Sequence, residues 1–376
     1  MLTWSRTCLP PTASTLILMR TRGFCSWTPQ TLKLRRWGTS TLCQVHQGSR
    51  FFSADPCYTG SAKRSFPNWE GALLGTGPLT STLKGSAVLV QKSSRNPVAF
   101  ALSYPSVGAT EQILLTAVQA DGITTLTNAA VEPEITDLIN VLQKMGAIIS
   151  VDTDRTIRIE GVDRLEGFVH SALPDRIEAA SWGAAALATR GDVFVKGAHQ
   201  PDMTTFLNTF RKVGGKFDVE ADGIRFYHPG GELKPIVLET NVHPGFMTDW
   251  QQPLVVALTQ ADGLSIVHET VYENRFGFTS ALRKMGANIQ LYKECVGSMP
   301  CRFGASNFYH SAVISGPTPL HAADITVPDL RGGFSHLIAA LAAEGTSHVS
   351  GIDVISRGYE HFISKLRALH ADIEYV

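Results

Sequence analysis

A chain of 376 residues with 44% hydrophobic side chains is long enough for two or three domains, and its 33 basic and 33 acidic residues cancel. No apolar run approaches the ~20 residues that cross a bilayer, so no membrane partner is expected. Six cysteines are too few for a disulfide framework, which points to a cytoplasmic protein.

The charge balance hides a split along the chain. Residues 1–97 hold twelve Lys/Arg against only Asp55 and Glu70, leaving the remainder acidic. No period of 3.6 or of 2 persists in this first stretch, and it is expected to be disordered or poorly packed. An organelle transit segment has this composition, and so has translation from a wrong start or in a shifted frame; the second reading is preferred. Its arginines are scattered and form no stripe, so no nucleic acid is expected as a partner. In the acidic remainder, Cys295 and Cys301 match no familiar zinc spacing. With no second Cys/His pair near in sequence, no metal site is expected.

From Thr110 onward one unit is written four times: Glu111–Gly146, Asp175–Gly214, Met247–Gly286 and Asp329–His370. Each copy opens with an apolar helical run (EQILLTAVQADG, IEAASWGAAALATRGD, WQQPLVVALTQADG, SHLIAALAAEGT). A β-branched strand follows, then an amphipathic helix ending LQKMGA, FRKVGG, LRKMGA or LRALHA. In the first copy the pattern predicts a helix over 110–120, a strand over 124–128 and a helix over 134–146. Two strands follow, 148–152 and 156–160. Gly146 suits the left-handed residue that ends a helix. Neither helix can bury its apolar stripe alone, so units must pack around shared helices with strands outside: an α/β (α+β) assembly of helix–strand–helix–strand–strand units.

Seven segments in order carry a resemblance: YPSVGATE, TNAAVEPEITDL, ALPDRIEA, HPGFMTDWQQP, ETVYENRF, DLRGG and RGYE. From Tyr104 to Val376 the chain resembles UDP-N-acetylglucosamine 1-carboxyvinyltransferase, an enolpyruvyl transferase family. The resemblance implies two domains, each an inside-out α/β barrel of three units, with the active site between them. Residues 98–174 would be the remaining unit of the first domain, and 175–376 the second domain. It also implies a monomer without cofactor. The implied substrates are phosphoenolpyruvate and UDP-N-acetylglucosamine, joined by addition and elimination of phosphate in the first committed step of peptidoglycan synthesis.

Such chemistry needs a base at the sugar hydroxyl and cations around phosphate and carboxylate. Asp249 is the best candidate base, although an acid at a helix start can also be a cap. Arg275, Arg331 and Arg357 stand at corresponding ends of consecutive units, where guanidinium groups can grip oxyanions; arginines on helices are more often solvated. The resemblance gives Arg331 and Arg357 to phosphoenolpyruvate and Arg275 to support of the cleft, while Asp329 orients Arg331 or moves a proton. It places the uridine diphosphate at Ser106, Val107 and Gly108, whose N–H groups open a helix. Val271 and His243 would neighbour the sugar, and Asp175, Arg176 and Glu132 would face the domain boundary. Glu132 reads equally as a first-turn acid favouring the helix dipole.

Departures from the family are concentrated before Tyr104. The Lys-Asn pair and the PGGC loop of the family have no counterpart. In SFPNWEGALLGTGPLTSTLKG, Ala72 stands for the loop Cys and Gly77 for its Arg, with Thr80 and Thr82 at the usual Asp and His positions. Impaired catalysis is therefore expected. A non-catalytic nucleotide-sugar binder and a shikimate-pathway enolpyruvyl transferase are the alternatives. The stretch Leu291–Tyr309 is also longer than in common members.

Overall fold

A computed structural model describes residues 31–35, 43–46, 51–53, 97–297 and 301–375. The segment carrying Ala72, Gly77, Thr80 and Thr82 lies outside the described residues. Within the stretch where no period is legible, three short strands are nevertheless present: β1 (Thr31–Arg35), β2 (Cys43–His46) and β3 (Phe51–Ser53). Each pairs with a strand of the later chain, so their order comes from long-range ladders that local periodicity does not reveal.

The first unit contains β4 (Val98–Ala101), α1 (Val107–Ala117), β5 (Ile123–Thr127), α2 (Pro133–Lys144), β6 (Ile148–Val151) and β7 (Ile157–Glu160). Its sheet runs β4-β5-β7-β6, with β4 and β5 parallel and the other pairs antiparallel. Helix α1 starts earlier than the apolar pattern predicts. The cause is Ser106, whose Oγ caps the helix by accepting from the Ala109 N–H at 3.3 Å. Leu114, Leu126, Ile135, Ile157 and Ile159 are fully buried in a core of their own. A link strand, β8 (Val169–Ser171), pairs with β3.

The same plan recurs three times. The second unit has α3 (Arg176–Ala188), β9 (Asp192–Lys196), α4 (Thr204–Val213), β10 (Lys216–Glu220) and β11 (Gly223–Tyr227). The third has β12 (Val237–Glu239), α5 (Thr248–Leu258), β13 (Gly263–His268), α6 (Thr279–Lys284), β14 (Asn288–Tyr292) and β15 (Ser311–Gly316). The fourth has β16 (Asp324–Thr326), α7 (Leu330–Ala342), β17 (Thr346–Ser350), α8 (Phe362–Ala368) and β18 (Ile373–Tyr375). Each unit also has a parallel leading strand that the sequence pattern misses: β4, β2, β12 and β16 respectively. In the fourth sheet, β16-β17-β1-β18, the third place is taken by β1, antiparallel to both neighbours.

Helices α3, α5 and α7 pack against one another. Every residue of α3 is buried, which its alanine-rich sequence permits because small side chains let neighbouring backbones approach. A Cβ on Gly183 would press on Phe206 and Phe226. Around this centre Trp182 meets Phe334 edge-on at 5.0 Å, and Phe334 stacks on Tyr359 at 4.3 Å. One cluster of buried apolar residues runs from Ala179 to Ile373, separate from that of 102–159.

Candidate active site

The first turns of α3, α5 and α7 meet at one end of this helix trio. Arg176 on α3 lies 5.3 Å above the Trp250 ring on α5, and Asp249 on α5 lies 3.4 Å from the Arg331 Nε on α7. Three helix N-termini in one place give a site that favours anions. A cleft of about 550 Å³ opens beside them, lined by Gln252, Tyr272, Arg275, Asp329, Arg331 and Arg357 among others. Arg275, Asp329, Arg331 and Arg357 are residues that the sequence singled out.

Asp249 is not the cap of α5. That position belongs to Met247, and the Asp249 carboxylate instead pairs through Oδ1 with Arg275 and through Oδ2 with Arg331. Gln252, one helical turn on, accepts from Arg275 at 3.1 Å when its amide is oriented to satisfy the network. Arg275 begins a short 3₁₀ turn and lies 4.5 Å from the Tyr272 ring, which fixes its plane. Asp329 caps α7: its Oδ1 accepts from the N–H groups of Arg331 and Gly332 at 2.9 and 2.8 Å. It therefore sets the backbone of Arg331. Arg357 ends the 3₁₀ turn Ile352–Arg357, exposed on the rim.

A second group of the predicted residues joins the first unit to the rest of the chain. Arg176 is buried and donates to Glu134 from Nε and Nη2 at 2.7 and 3.0 Å, a two-pronged bond that lysine cannot make. Asp175 caps α3 through the N–H groups of Ile177 and Glu178. Glu132 makes no capping bond to α2; it is buried and accepts from the His243 N–H at 3.5 Å. The His243 carbonyl accepts from Arg155. Burial, then the neighbouring Arg176 charge, pushes the His243 imidazole below its usual pKa, so it is poised as a neutral group.

Ser106, Val107 and Gly108 open α1 and are not among the residues lining the cleft. Tyr104, two residues before Ser106, is linked to Val271 through Arg302, which sequence reasoning passed over. Arg302 donates to the Val271 carbonyl, reaches Glu273 at 3.3 Å and lies 4.0 Å from the ring of Tyr104. Glu269 was also missed: it is fully buried and accepts from Thr240, Thr248, Gln251, Val271 and Tyr272. Burial raises its pKa. These bonds tie the ETVYENRF segment to the start of α5. Tyr104 and Glu269 lie inside quoted motifs, so position in a motif was the available signal; Arg302 has none. A cavity of about 410 Å³ at the other end of the helix trio, beside Ala188, Gln260 and Leu341, contains none of the predicted residues.

Residues 80–366 match the family model described as EPSP synthase (3-phosphoshikimate 1-carboxyvinyltransferase), and the chain belongs to that family. Among curated relatives, it is 56% identical over 275 residues to UDP-N-acetylglucosamine 1-carboxyvinyltransferase of Protochlamydia amoebophila (strain UWE25). That alignment covers 73% of this chain and 59% of the relative. The protein of the same name from Chlamydia abortus is 50% identical over 273 residues, covering 72% and 62%. The chain thus spans 59% and 62% of the length of these two relatives. Among solved structures, the enolpyruvyl transferase NikO from Streptomyces tendae superposes with a TM-score of 0.66 at 25% identity, covering 75% of this chain and 66% of that one. EPSP synthase from Acinetobacter baumannii, at 18% identity, TM-score 0.55 and coverage of 75% and 64%, shares the fold.

Proposed function

We propose that the cleft takes phosphoenolpyruvate and UDP-N-acetylglucosamine and transfers the enolpyruvyl group to the sugar 3-hydroxyl, in a cytoplasmic step of peptidoglycan synthesis. The observation that carries this reading is the Asp249 carboxylate held between Arg275 and Arg331 at the meeting of three helix N-termini. An incoming phosphate or carboxylate competes with Asp249 for those guanidinium groups, because Arg bonds either oxyanion in the same fashion. Once Arg331 turns to the substrate, Asp249 Oδ2 is released to accept the hydroxyl proton. The sugar oxygen then bonds to C2 of phosphoenolpyruvate while a proton adds to its methylene carbon. Loss of phosphate and of one proton regenerates the double bond. Arg331 and Arg357 stabilise the anionic groups throughout.

The rest of the reading places the uridine diphosphate at the α1 start, Ser106 to Gly108. Val271 and His243 then lie beside the sugar, with Glu132, Asp175 and Arg176 holding the boundary. The two separate cores support two inside-out α/β domains, and the names of the relatives support the nucleotide sugar over shikimate 3-phosphate. A thermal-shift titration decides the branch, since a ligand bound only by the folded state raises apparent stability by mass action. UDP-N-acetylglucosamine should stabilise the chain. Stabilisation by shikimate 3-phosphate alone would end the assignment.

A further inference from the structure

The sequence offered no partner for Cys295 and Cys301, but the fold supplies two. His268, at the end of β13, and His310, just before β15, come to the same place, and one ligand atom from each of the four residues lies within 4.8 Å of every other. The two sulfur atoms are 3.5 Å apart, and Cys295 Sγ is 3.5 Å from His310 Nε2. A tetrahedral zinc with ligands at about 2.0–2.3 Å has ligand–ligand edges of roughly 3.3–3.8 Å. The two 3.5 Å separations already fit, and the pairs that lie farther apart, up to 4.8 Å, close by about 1 Å at most.

The surroundings are those of ligands rather than of ordinary core groups. Both histidines are fully buried, and the Nε2 of His268 has no hydrogen-bond partner among the described residues. The other ring nitrogen of each is engaged: His268 Nδ1 with Glu239 at 3.2 Å, and His310 Nδ1 with the Phe308 carbonyl at 3.2 Å. This is the outer arrangement that fixes a metal-binding imidazole in the right tautomer. Backbone N–H groups point at both sulfurs, Cys301 to Cys295 at 3.4 Å and Phe303 to Cys301 at 3.3 Å. Phe303 and Phe308 wall one side. Gly297 closes another, where any Cβ would collide with His268 and Glu239.

We infer that His268, Cys295, Cys301 and His310 form a structural zinc site. Two thiols give up their protons to solvent on binding, so two thiolates and two neutral imidazoles around Zn²⁺ make a unit of no net charge, suited to burial. Four protein ligands leave no open position, so the ion holds structure and takes no part in chemistry. It pins the chain at Cys295 and at Cys301 to β13 and to the start of β15, and thereby sets Arg302, the residue after Cys301, against Val271 and Tyr104. The inference stands whether or not the transferase reading does.

The test uses the full chain with Cys8, Cys25, Cys43 and Cys57 replaced by Ser, purified without a metal-affinity tag. Elemental analysis should find about one zinc per chain, which Cys301→Ser and His310→Gln should each remove. Folding of the variants is checked by circular dichroism. A second measurement needs no substitution at the site: replacing zinc by cobalt should give intense visible bands of a tetrahedral ion, together with a thiolate charge-transfer band. A metal-free protein with two free thiols, a Cys295–Cys301 disulfide, or full zinc content in both variants would each overturn the assignment.

Discussion

The Arg302 guanidinium lies against the ring of Tyr104, 4.0 Å from its centre, and this contact joins the third unit to the first. Burial pushes the Tyr104 phenol up to about 12, and Arg302 works against that rise, while Glu269, Glu132 and Glu273 add to it. Arg302→Met should therefore move the phenol higher still. Ultraviolet titration of the phenolate checks this; a lower value in the variant would show that Arg302 does not face the ring in solution.

Asp249→Asn keeps the shape of the side chain and removes the charge between Arg275 and Arg331. Turnover, already expected to be low without a counterpart of the loop Cys, should fall by a further ~10²–10⁴-fold, typical of a positioned acid–base group. UDP-N-acetylglucosamine should still raise the melting temperature, because the α1 start is untouched. Phosphate release and thermal shift, measured on one preparation, separate the two effects.

Arg331→Lys retains the charge but loses the fork. A charge-assisted hydrogen bond contributes about 1.5–3 kcal/mol, so KM for phosphoenolpyruvate should rise about 10- to 150-fold. The melting temperature should barely change, since Asp329 still caps α7 through backbone groups. An unchanged KM would place the substrate phosphate elsewhere.

A buried pair predicts a pH dependence. Glu178 on α3 and Lys365 on α8 bond at 2.5 Å with side chains only 4% and 11% exposed. Burial raises the Glu178 pKa even though Lys365 and Trp182 oppose the rise. A carboxyl whose folded pKa is raised favours folding at low pH, and that contribution is lost as pH climbs through the folded value. Lys365→Met strands the carboxylate and should cost about 3–5 kcal/mol near pH 8. The deficit should shrink toward pH 5 as Glu178 takes up a proton. Urea unfolding at several pH values measures it, and a deficit independent of pH would assign the loss to packing.

The repeat was legible because each copy carries its own punctuation. Gly146, Gly214 and Gly286 end their helices with φ of 96°, 110° and 102°, and in the fourth copy His370 takes the same left-handed turn at 61°. The cleft residues were legible for the same reason, but the repeat pairs them two by two: Asp249 and Arg331 stand in the first turns of α5 and α7, and Arg275 and Arg357 in the 3₁₀ turns of the third and fourth units. The expected series of three arginines on consecutive units is in fact two matched positions. The leading strands β4, β2, β12 and β16 were not, because so short a strand in a parallel ladder leaves no period to detect. Nor was the metal cluster. His268 stands well before Cys295 in the sequence, at the end of β13, and the sheet that pairs β13 with β15 brings it beside His310 and the two sulfurs. The expectation that no metal site exists rested on spacing alone, and the geometry points the other way.

The strand that fills the fourth sheet arrives from far upstream. Thr31 pairs with Ser350 and Leu34 with Ile373, partners separated by all three of the other units. On a ribosome, β17 is made long after β1, so β1 must wait through the synthesis of those units before its ladder can close. The first and third sheets are each built from strands of one unit, and can form earlier from local chain. Closure of the fourth sheet therefore comes after the others. A nascent chain stalled before β17 leaves both edges of β1 unpaired, which is where its misassembly with other chains would begin.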